Sequence, residues 1–489
     1  MSMIKVENLT FSYPSGSENI FEDVSFQFDT DWKLGFVGRN GRGKTTFLKL
    51  LQNQYEYQGK ILSSVSFDFF PCPVTHKDRL TFEILEEIAP LAEEWEFRKE
   101  FSLLDIKEDV LWRPFHTLSS GEQTKTLLAA LFLKEENFLL IDEPTNHLDI
   151  RARALVSSYL QKKKGFLLVS HDRAFLDGCV DHILSLNRTN MEIQSGNFSS
   201  WLTNFKRQQD FETAKTQKLK KEISHLQQAA KKTSDWSAQA EAGKYGNGPV
   251  DRGYIGHKSA KMMKRAKSID ARQTKALREK SNLLKNAETT EKLKLLPLSY
   301  HTDTLASFSE VSIVYDKTPI CQPLSFSIQK KDRLALRGKN GSGKSSLLKL
   351  LTGAEIPHTG TLCAGSNLLI SYVPQDTSFL KGSLSDFALQ NHIEESLFKT
   401  ILRKLDFERT QLQMDMQLLS EGQKKKVLIA KSLCEQAHLY VWDEPLNFID
   451  IYSRMQIEEL LLEFAPAMIF VEHDQTFCRK IATKTLDLQ

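Results

Sequence analysis

The chain has 489 residues, of which 40% are hydrophobic and 26% charged, which is enough for two or three domains with buried cores. No apolar run approaches the roughly 20 residues of a membrane helix, and the N-terminus enters a strand-like IKVENLTFSY without a secretion signal, so we expect a cytoplasmic protein with no membrane domain. The six cysteines are scattered without a CxxC pair, which indicates reduced thiols and excludes a disulfide or zinc framework.

In chain order, the predicted elements form one repeat that is interrupted in the middle. Four sequence blocks occur twice, in the same order and 300 to 302 residues apart. They are GRNGRGKTTFLKLL (38–51) and GKNGSGKSSLLKLL (338–351), TLSSGEQ (117–123) and LLSEGQK (418–424), LLIDEPTNHLD (139–149) and YVWDEPLNFID (440–450), and LLVSHD (167–172) and IFVEHD (469–474). The near-constant offset predicts a tandem duplication of a nucleotide-binding domain.

Each copy opens on a phosphate-binding loop, or P-loop, that follows an apolar strand and precedes a helical run. Glycines in such a loop let backbone N–H groups approach the phosphates, the lysine reaches the β- and γ-phosphates, and the following hydroxyl binds Mg²⁺. The candidate ATP-binding residues are Gly38, Asn40, Gly41, Gly43, Lys44, Thr45 and Thr46, and Gly338, Asn340, Gly341, Gly343, Lys344, Ser345 and Ser346.

Paired acidic residues follow a second apolar strand in each copy. Asp142 and Asp443 end the strands FLLID and LYVWD, where a carboxylate is placed to hold Mg²⁺ together with Thr45 or Ser345. Glu143 and Glu444 come next, placed to orient or deprotonate the attacking water. The alternative interpretation, an acidic pair at a helix N-terminus, is disfavoured by the P-loops upstream.

The segment between the copies is basic. Residues 203–296 hold 22 Lys and Arg against 10 Asp and Glu, whereas the rest of the chain holds 43 against 52. Glycine and proline are confined to its centre, which predicts a long antiparallel helical hairpin with its tip near 243–257 and helices of about 60 Å. The predicted domains are therefore 1–202, the hairpin 203–297, and 298–489. The excess charge favours a polyanion partner, although a solvated helical face is the alternative.

The order of P-loop, LSSGE or LSEGQ, DEP and HD resembles that of the ATP-binding-cassette (ABC) ATPases. The resemblance implies an α/β fold with two tandem ABC-type domains that sandwich ATP, each nucleotide being clamped between one P-loop and the signature of the other domain. Site one then joins Lys44 to Ser420 and Gly422, and site two joins Lys344 to Ser119 and Gly121. The resemblance further implies the signature residues Glu122 and Gln423, the switch histidines His171 and His473, and the adenine-stacking Tyr13 and Tyr315.

Three positions depart from the pattern of that family. Gln375 in SYVPQD matches the glutamine that helps to place Mg²⁺ and water, but its counterpart in DFFPCP is Cys72, which leaves Mg²⁺ coordination at site one open. Leu446 replaces the threonine of DEPTNHLD, and Glu472 replaces the serine of SHD. Because both glutamate bases are present, we expect two hydrolytic sites with unequal rates.

Over essentially its whole length the chain resembles the ABC-F family of ribosome-associated ATPases. The resemblance implies a monomer whose linker enters the tRNA exit site of the 70S ribosome and reaches 23S rRNA near the peptidyl-transferase centre and the peptidyl-site tRNA. Basic side chains would neutralise RNA phosphates and aromatic ones would stack on bases. The candidate contact residues are Lys244, Tyr245, Tyr254, His257, Lys258, Lys261, Lys264, Arg265 and Lys267.

Within that family the stretches DTDWKLGFVGRNGRGKTT and RGYIGHKSAKMMKRAK look most like the Lsa-type proteins. Those proteins protect ribosomes from lincosamides, pleuromutilins and streptogramin A. Housekeeping translation factors of the family carry an extra arm in the first domain, for which residues 52–117 leave little room. An efflux-transporter ATPase and a DNA-repair ATPase with a coiled-coil hairpin are the alternatives from other classes.

Overall fold

A computed structural model describes residues 2–14, 19–134, 137–145, 148–187, 190–211, 293–315, 318–339 and 341–488. Residues 1–201 and 290–489 form one compact unit, which contains two P-loop domains, and residues 202–289 form a second unit. We refer to residues 2–201 as the first domain and to residues 293–488 as the second. The predicted hairpin tip and all nine of its candidate contact residues lie outside the described residues, as does Asn340.

The first domain alternates strands and helices. Its strands are β1 (Met3–Phe11), β2 (Phe21–Asp29), β3 (Lys33–Gly38), β4 (Gln58–Leu62), β5 (Ser66–Phe70), β6 (Asn137–Asp142), β7 (Phe166–Val169), β8 (His182–Leu186) and β9 (Met191–Ser195). Its helices are α1 (Lys44–Leu51), α2 (Thr81–Ile88), α3 (Glu94–Leu103), α4 (Ser120–Leu133), α5 (Ile150–Lys162) and α6 (Arg173–Cys179), and residues 198–211 are helical as well.

The second domain repeats this order. Its strands are β10 (Thr304–Tyr315), β11 (Thr318–Pro319), β12 (Leu324–Gln329), β13 (Arg333–Gly338), β14 (His358–Ala364), β15 (Ile370–Val373), β16 (Leu439–Asp443), β17 (Met468–Val471) and β18 (Lys484–Leu488). Its helices are α7 (Lys344–Leu351), α8 (Leu384–Gln390), α9 (Glu395–Lys404), α10 (Glu421–Cys434), α11 (Ile451–Phe464) and α12 (Gln475–Ile481). None of the described helices is long and apolar enough to cross a membrane.

Each domain is built on a mostly parallel sheet, in the order β5-β6-β7-β3-β8-β9 and β15-β16-β17-β13-β18, with a smaller antiparallel sheet beside it. The strands with the P-loop and the acidic pair are nearly continuous apolar runs because both faces are covered. Their carboxyl ends meet at one edge, where ligands bind in open parallel sheets. The predicted α/β fold of two tandem domains is confirmed.

Aromatic packing fixes the P-loop helix of the first domain. The ring of Phe47 on α1 packs edge-on against Phe36 and Phe21, with ring centroids 5.6 and 6.0 Å apart, and is fully buried. Burial of such a side chain stabilises the fold by about 1.5–3 kcal/mol.

In the second domain, Leu293 and Leu295 are part of the buried core. The predicted domain boundaries stay predictions.

Candidate active sites

The P-loop lysines lie inside their loops. Gly43, at the start of α1, has φ 97°, a left-handed conformation that glycine adopts without strain. Lys44 Nζ donates hydrogen bonds to the carbonyl oxygens of Gly38 at 2.8 Å and Arg39 at 3.1 Å. Lys344 makes the two equivalent contacts in the second domain, at 3.0 and 2.7 Å. The same geometry in both copies gives each domain one phosphate-binding cradle.

The two predicted adenine-stacking tyrosines lie beside these loops. The hydroxyl of Tyr13 is 2.9 Å from Thr46 Oγ1, and the hydroxyl of Tyr315 is 3.0 Å from Ser346 Oγ. Each ring is thus held next to the first turn of the P-loop helix. Their role in stacking on the base stays a prediction.

The two candidate bases share an unusual backbone. Glu143 has φ 49° and Glu444 has φ 46°, in the left-handed region that costs a residue with a side chain roughly 1–2 kcal/mol. Each N–H is nevertheless paired, with the carbonyl of Val169 at 2.9 Å and of Val471 at 3.0 Å. Strain held identically in both copies is typical of functional positions, because the surrounding structure has to enforce it.

The signatures are helix N-termini. Ser119 caps α4 and Ser420 caps α10, each in a capping box with the residue three positions on, Glu122 or Gln423. The side chains of Glu122 and Gln423 accept from the serine N–H at 2.9 Å in both cases. These boxes leave the helix N-terminus pre-formed for an anion.

Site one is closed by direct contacts between the domains. Asn40 Nδ2, in the first P-loop, donates to the carbonyl of Phe448 at 2.6 Å. Gly422 of the second signature lies against this pair, since a Cβ built there would be 3.0 Å from Asn40 Nδ2. Arg39 pairs with Asp406 at 3.3 Å across the same interface. The predicted pairing of the first P-loop with the second signature is therefore present at Gly422.

Site two is an open cavity of about 600 Å³ between the domains. The second domain supplies most of its wall, and Ser120, Leu148 and Arg153 of the first domain complete it. From the second domain the predicted residues Tyr315, Gly341, Gly343, Lys344, Ser345, Ser346, Gln375, Glu444 and His473 line it. The first signature thus reaches the cavity through Ser120, the neighbour of the predicted Ser119 and Gly121.

A family model described as "ABC transporter" matches residues 21–146 and 321–447, one match in each domain. The chain belongs to the ABC transporter family. It is accordingly an ATPase with two ABC domains. Curated relatives include the putative ATP-binding protein YdiF of Bacillus subtilis, 27% identical over 100% of this chain and 80% of its own length. The ribosome protection protein VmlR of Bacillus subtilis is 27% identical over 97% of this chain and 85% of its length.

Solved structures share the fold of the two ABC domains. An archaeal ribosome recycling factor, aABCE1, solved with the ribosomal stalk protein aP1, is 18% identical and gives a TM-score of 0.64. The match covers 98% of this chain and 87% of that one. At this identity the likeness concerns the fold alone.

The candidate base of site two is held ionised and oriented. Glu444 accepts from Asn447 at 2.6 Å and from Gln375 at 2.9 Å, and its other oxygen lies 3.2 Å from His473 Nε2. Burial alone would raise the pKa of Glu444, but the hydrogen bond and charge of His473 and the charge of Lys425 outweigh it and hold that pKa below its usual value.

The candidate base of site one is in the opposite state. Glu143 Oε1 is buried without a hydrogen-bond partner among the described residues, and His171 Nε2 is 3.5 Å away. Burial and the adjacent charge of Asp142 raise the pKa of Glu143 to about 8. Burial also lowers the pKa of Lys44 to about 8. The two ABC domains therefore differ at the group that would activate water.

ABC domains bind ATP and typically Mg²⁺, and the residues of site two fit the ion. Mg²⁺ takes oxygen ligands and is usually held by one or two side chains together with nucleotide phosphates. Both carboxylate oxygens of Asp443 are buried and accept no hydrogen bond of normal geometry from the described residues. Burial raises the pKa of Asp443, and the nearby hydroxyl of Ser345 lowers it in part. Gln375 adds an amide.

Site one fits the ion less well. Thr45 Oγ1 already donates to Asp142 at 3.1 Å. In the second domain Val373 pairs with Trp442, and Gln375 follows two residues later. In the first domain Phe70 pairs with Ile141, the counterpart of Trp442, and Cys72 follows two residues later. Cys72 therefore takes the position that Gln375 holds in the second domain. A thiol whose pKa burial raises is a poor partner for a hard cation.

Sequence reasoning missed four side chains at these sites. Arg153 lines site two from the first domain, Asn447 holds Glu444, Lys425 lies in the wall of site two, and Arg173 crosses the domain interface. Arg173 and Lys425 break the repeat, since their counterparts are Gln475 and Thr124. Comparing the two copies residue by residue is the signal that would have found these two.

Gly422→Ala is expected to disrupt site one. A Cβ at position 422 would lie 2.3 Å from the carbonyl oxygen of Phe448 and 3.0 Å from Asn40 Nδ2. Overpacking of this kind costs about 1–3 kcal/mol, so ATP binding at site one should weaken by about tenfold. Nucleotide titration of the variant checks this, and an unchanged affinity at site one would contradict it.

Proposed function

We propose that this chain is a ribosome-binding ATPase of the ABC-F type that protects the ribosome from antibiotics acting at the peptidyl-transferase centre. The observation that carries the proposal is similarity over 97% of the chain to a protein named for ribosome protection. The excess of positive charge in residues 203–296 supports it, because basic segments bind RNA through the phosphate backbone. The drug classes we propose are lincosamides, pleuromutilins and streptogramin A.

In the proposed mechanism ATP binding closes both sites, and the closed form docks on a stalled ribosome in the cytoplasm. Residues 203–297 then enter the tRNA exit site as a helical hairpin, and the basic tip contacts 23S rRNA and displaces the peptidyl-site tRNA. The drug pocket is reshaped or cleared. Hydrolysis, with Glu143 and Glu444 as bases and His171 and His473 beside the γ-phosphate, reopens the domains and releases the protein.

The experiment is cell-free translation stalled by lincomycin or tiamulin, with purified protein and ATP added. Restored synthesis is the expected result, and it excludes efflux because no membrane is present. The matched control is the double variant Lys44→Ala with Lys344→Ala, which should not restore synthesis because each lysine holds its phosphate cradle. No rescue from either drug by a preparation that hydrolyses ATP would favour the second candidate.

That second candidate is a housekeeping ABC-F translation factor that relieves stalled ribosomes. Similarity over 99% of the chain to the ATP-binding protein Uup of Buchnera aphidicola, at 26% identity, favours it. It predicts binding to ribosomes in the ATP state without any protection from drugs. Co-sedimentation of the Glu143→Gln, Glu444→Gln double variant with ribosomes, combined with the translation assay, distinguishes the two.

A further inference from the structure

A buried lysine of the second domain lies in the wall of site two. Lys425, on α10, is 3% exposed and lines the 600 Å³ cavity together with Lys344, Gln375 and Glu444. Burial of an ammonium group is costly unless it is hydrogen-bonded and has opposite charges nearby. The residue is therefore held in place by a specific environment.

A hydrogen bond joins Lys425 to the loop that carries the site-two glutamine. Lys425 Nζ donates to the carbonyl of Pro374 at 3.0 Å. That carbonyl belongs to the peptide that leads into Gln375, whose Nε2 donates to Glu444 at 2.9 Å. This hydrogen bond fixes the peptide plane before Gln375 and thereby the backbone position of Gln375. Lys425, Gln375 and Glu444 thus form one chain of contacts that ends on the candidate base.

The carboxylates around Lys425 also favour its charged form and help to hold it in place. The carboxylates of Asp443, Glu444, Glu472 and Glu421 all interact with its ammonium and oppose the fall in pKa that burial causes. Glu472 is itself buried, with its oxygens on the N–H groups of Leu446 at 3.2 Å and His473 at 2.9 Å. The lysine therefore neutralises a site that would otherwise hold several buried negative charges.

The first domain lacks the whole arrangement. The repeat places Thr124 opposite Lys425, Cys72 opposite Gln375, and Ser170 opposite Glu472. Ser170 Oγ instead lies 3.4 Å from Thr145 Oγ1, a small polar pair. Lys425 and Gln375 therefore occur together in the second domain, and the first domain has neither a lysine nor a glutamine at the corresponding positions.

We infer that Lys425 is a positioning residue for ATP hydrolysis at site two, which acts by anchoring the peptide before Gln375 so that Gln375 and Glu444 keep their orientation. The inference concerns the ATPase reaction and does not depend on the proposed ribosomal role. It also links the two sites, because α10 begins at the signature that meets Asn40 in site one and carries Lys425 into site two.

The test is made on the full chain with Glu143→Gln, so that steady-state phosphate release reports site two. Lys425→Met, which keeps most of the side-chain length and removes the donor, should lower kcat by about 10- to 100-fold, the range typical of residues that orient an active group. KM for ATP should change less than about threefold, because Lys344 still holds the phosphates. Lys425→Arg, which keeps a donor and a charge, should retain more activity than Lys425→Met.

The matched control is Lys431→Met, a lysine of the same helix that pairs with Glu435 at 2.7 Å. It should leave both constants unchanged. If Lys425→Met fails to fold, the double variant Lys425→Thr with Glu472→Ser places the first-domain residues Thr124 and Ser170 at both positions and removes the anchor. Full site-two kcat in either variant, or a rise in KM with unchanged kcat, would overturn the inference.

Discussion

Glu444→Gln is expected to abolish nearly all ATP turnover, whereas Glu143→Gln is expected to leave most of it. A positioned general base contributes about 10²- to 10⁴-fold, so Glu444→Gln should lower steady-state phosphate release by about 100-fold. Glu444 is ionised and held by three side chains, Gln375, Asn447 and His473. It is therefore the carboxylate that is ready to accept a proton from water.

Glu143 differs from Glu444 in its ionisation and, among the described residues, in its hydrogen-bond partners. Its Oε1 has no hydrogen-bond partner among the described residues, and with a pKa raised to about 8 the carboxyl is mainly protonated at neutral pH. A protonated carboxyl does not accept a proton. Glu143→Gln should consequently reduce total turnover by less than about threefold, the small share that a mainly protonated base contributes.

Phosphate release by the two single variants, at saturating ATP and Mg²⁺, measures the difference, and equal losses would contradict it. Glutamine is isosteric, so nucleotide affinity serves as the control for folding. In the Glu444→Gln background the residual rate reports turnover at site one. Cys72→Gln in the same background should raise that rate, because it supplies the amide that Gln375 supplies in site two.

The phosphate-binding parts could be predicted from the sequence because each is a local motif. A P-loop needs its glycines and lysine within eight positions, and the signature serines cap helices through a residue three positions on. Strand, loop and helix follow from short-range chemistry, so the cradles of Lys44 and Lys344 lie where the sequence predicts them.

The asymmetry between the sites could not be predicted in the same way. Site one is closed by Asn40 on Phe448, residues 408 apart in the chain, and no local pattern encodes that contact. The ionisation of Glu143 and Glu444 depends on burial and on partners from other elements. The sequence did indicate unequal sites through Cys72, but the hydrogen bonds that separate the two bases required the structure.

Arg173→Met is expected to loosen the interface between the domains. The Arg173 guanidinium pairs with Glu458 and, at 3.1 Å, with Asp474 of the second domain, and all three side chains are at most 5% exposed. Removing one partner of a buried ion pair costs about 3–5 kcal/mol, since the remaining charge stays desolvated. Because Lys480 still pairs with Glu458 and Arg454 with Asp474, we expect the lower end, about 3 kcal/mol.

Thermal unfolding and ATP affinity at site one measure the effect. The variant should unfold several degrees earlier, and Arg173→Met with Glu458→Leu should recover part of the loss, because the double change removes a buried carboxylate that has lost one of its two partners. Strict additivity of the two changes would contradict the ion-pair explanation.

The matched control lies in the other half of the interface, where the repeat places Gln475 and Ser157 opposite Arg173 and Glu458. Both residues are neutral, and they line a cavity of about 250 Å³. Gln475→Met should therefore leave stability nearly unchanged. The ion pairs of Arg173 therefore cross the interface in one half of the repeat, and neutral residues take the corresponding positions in the other half.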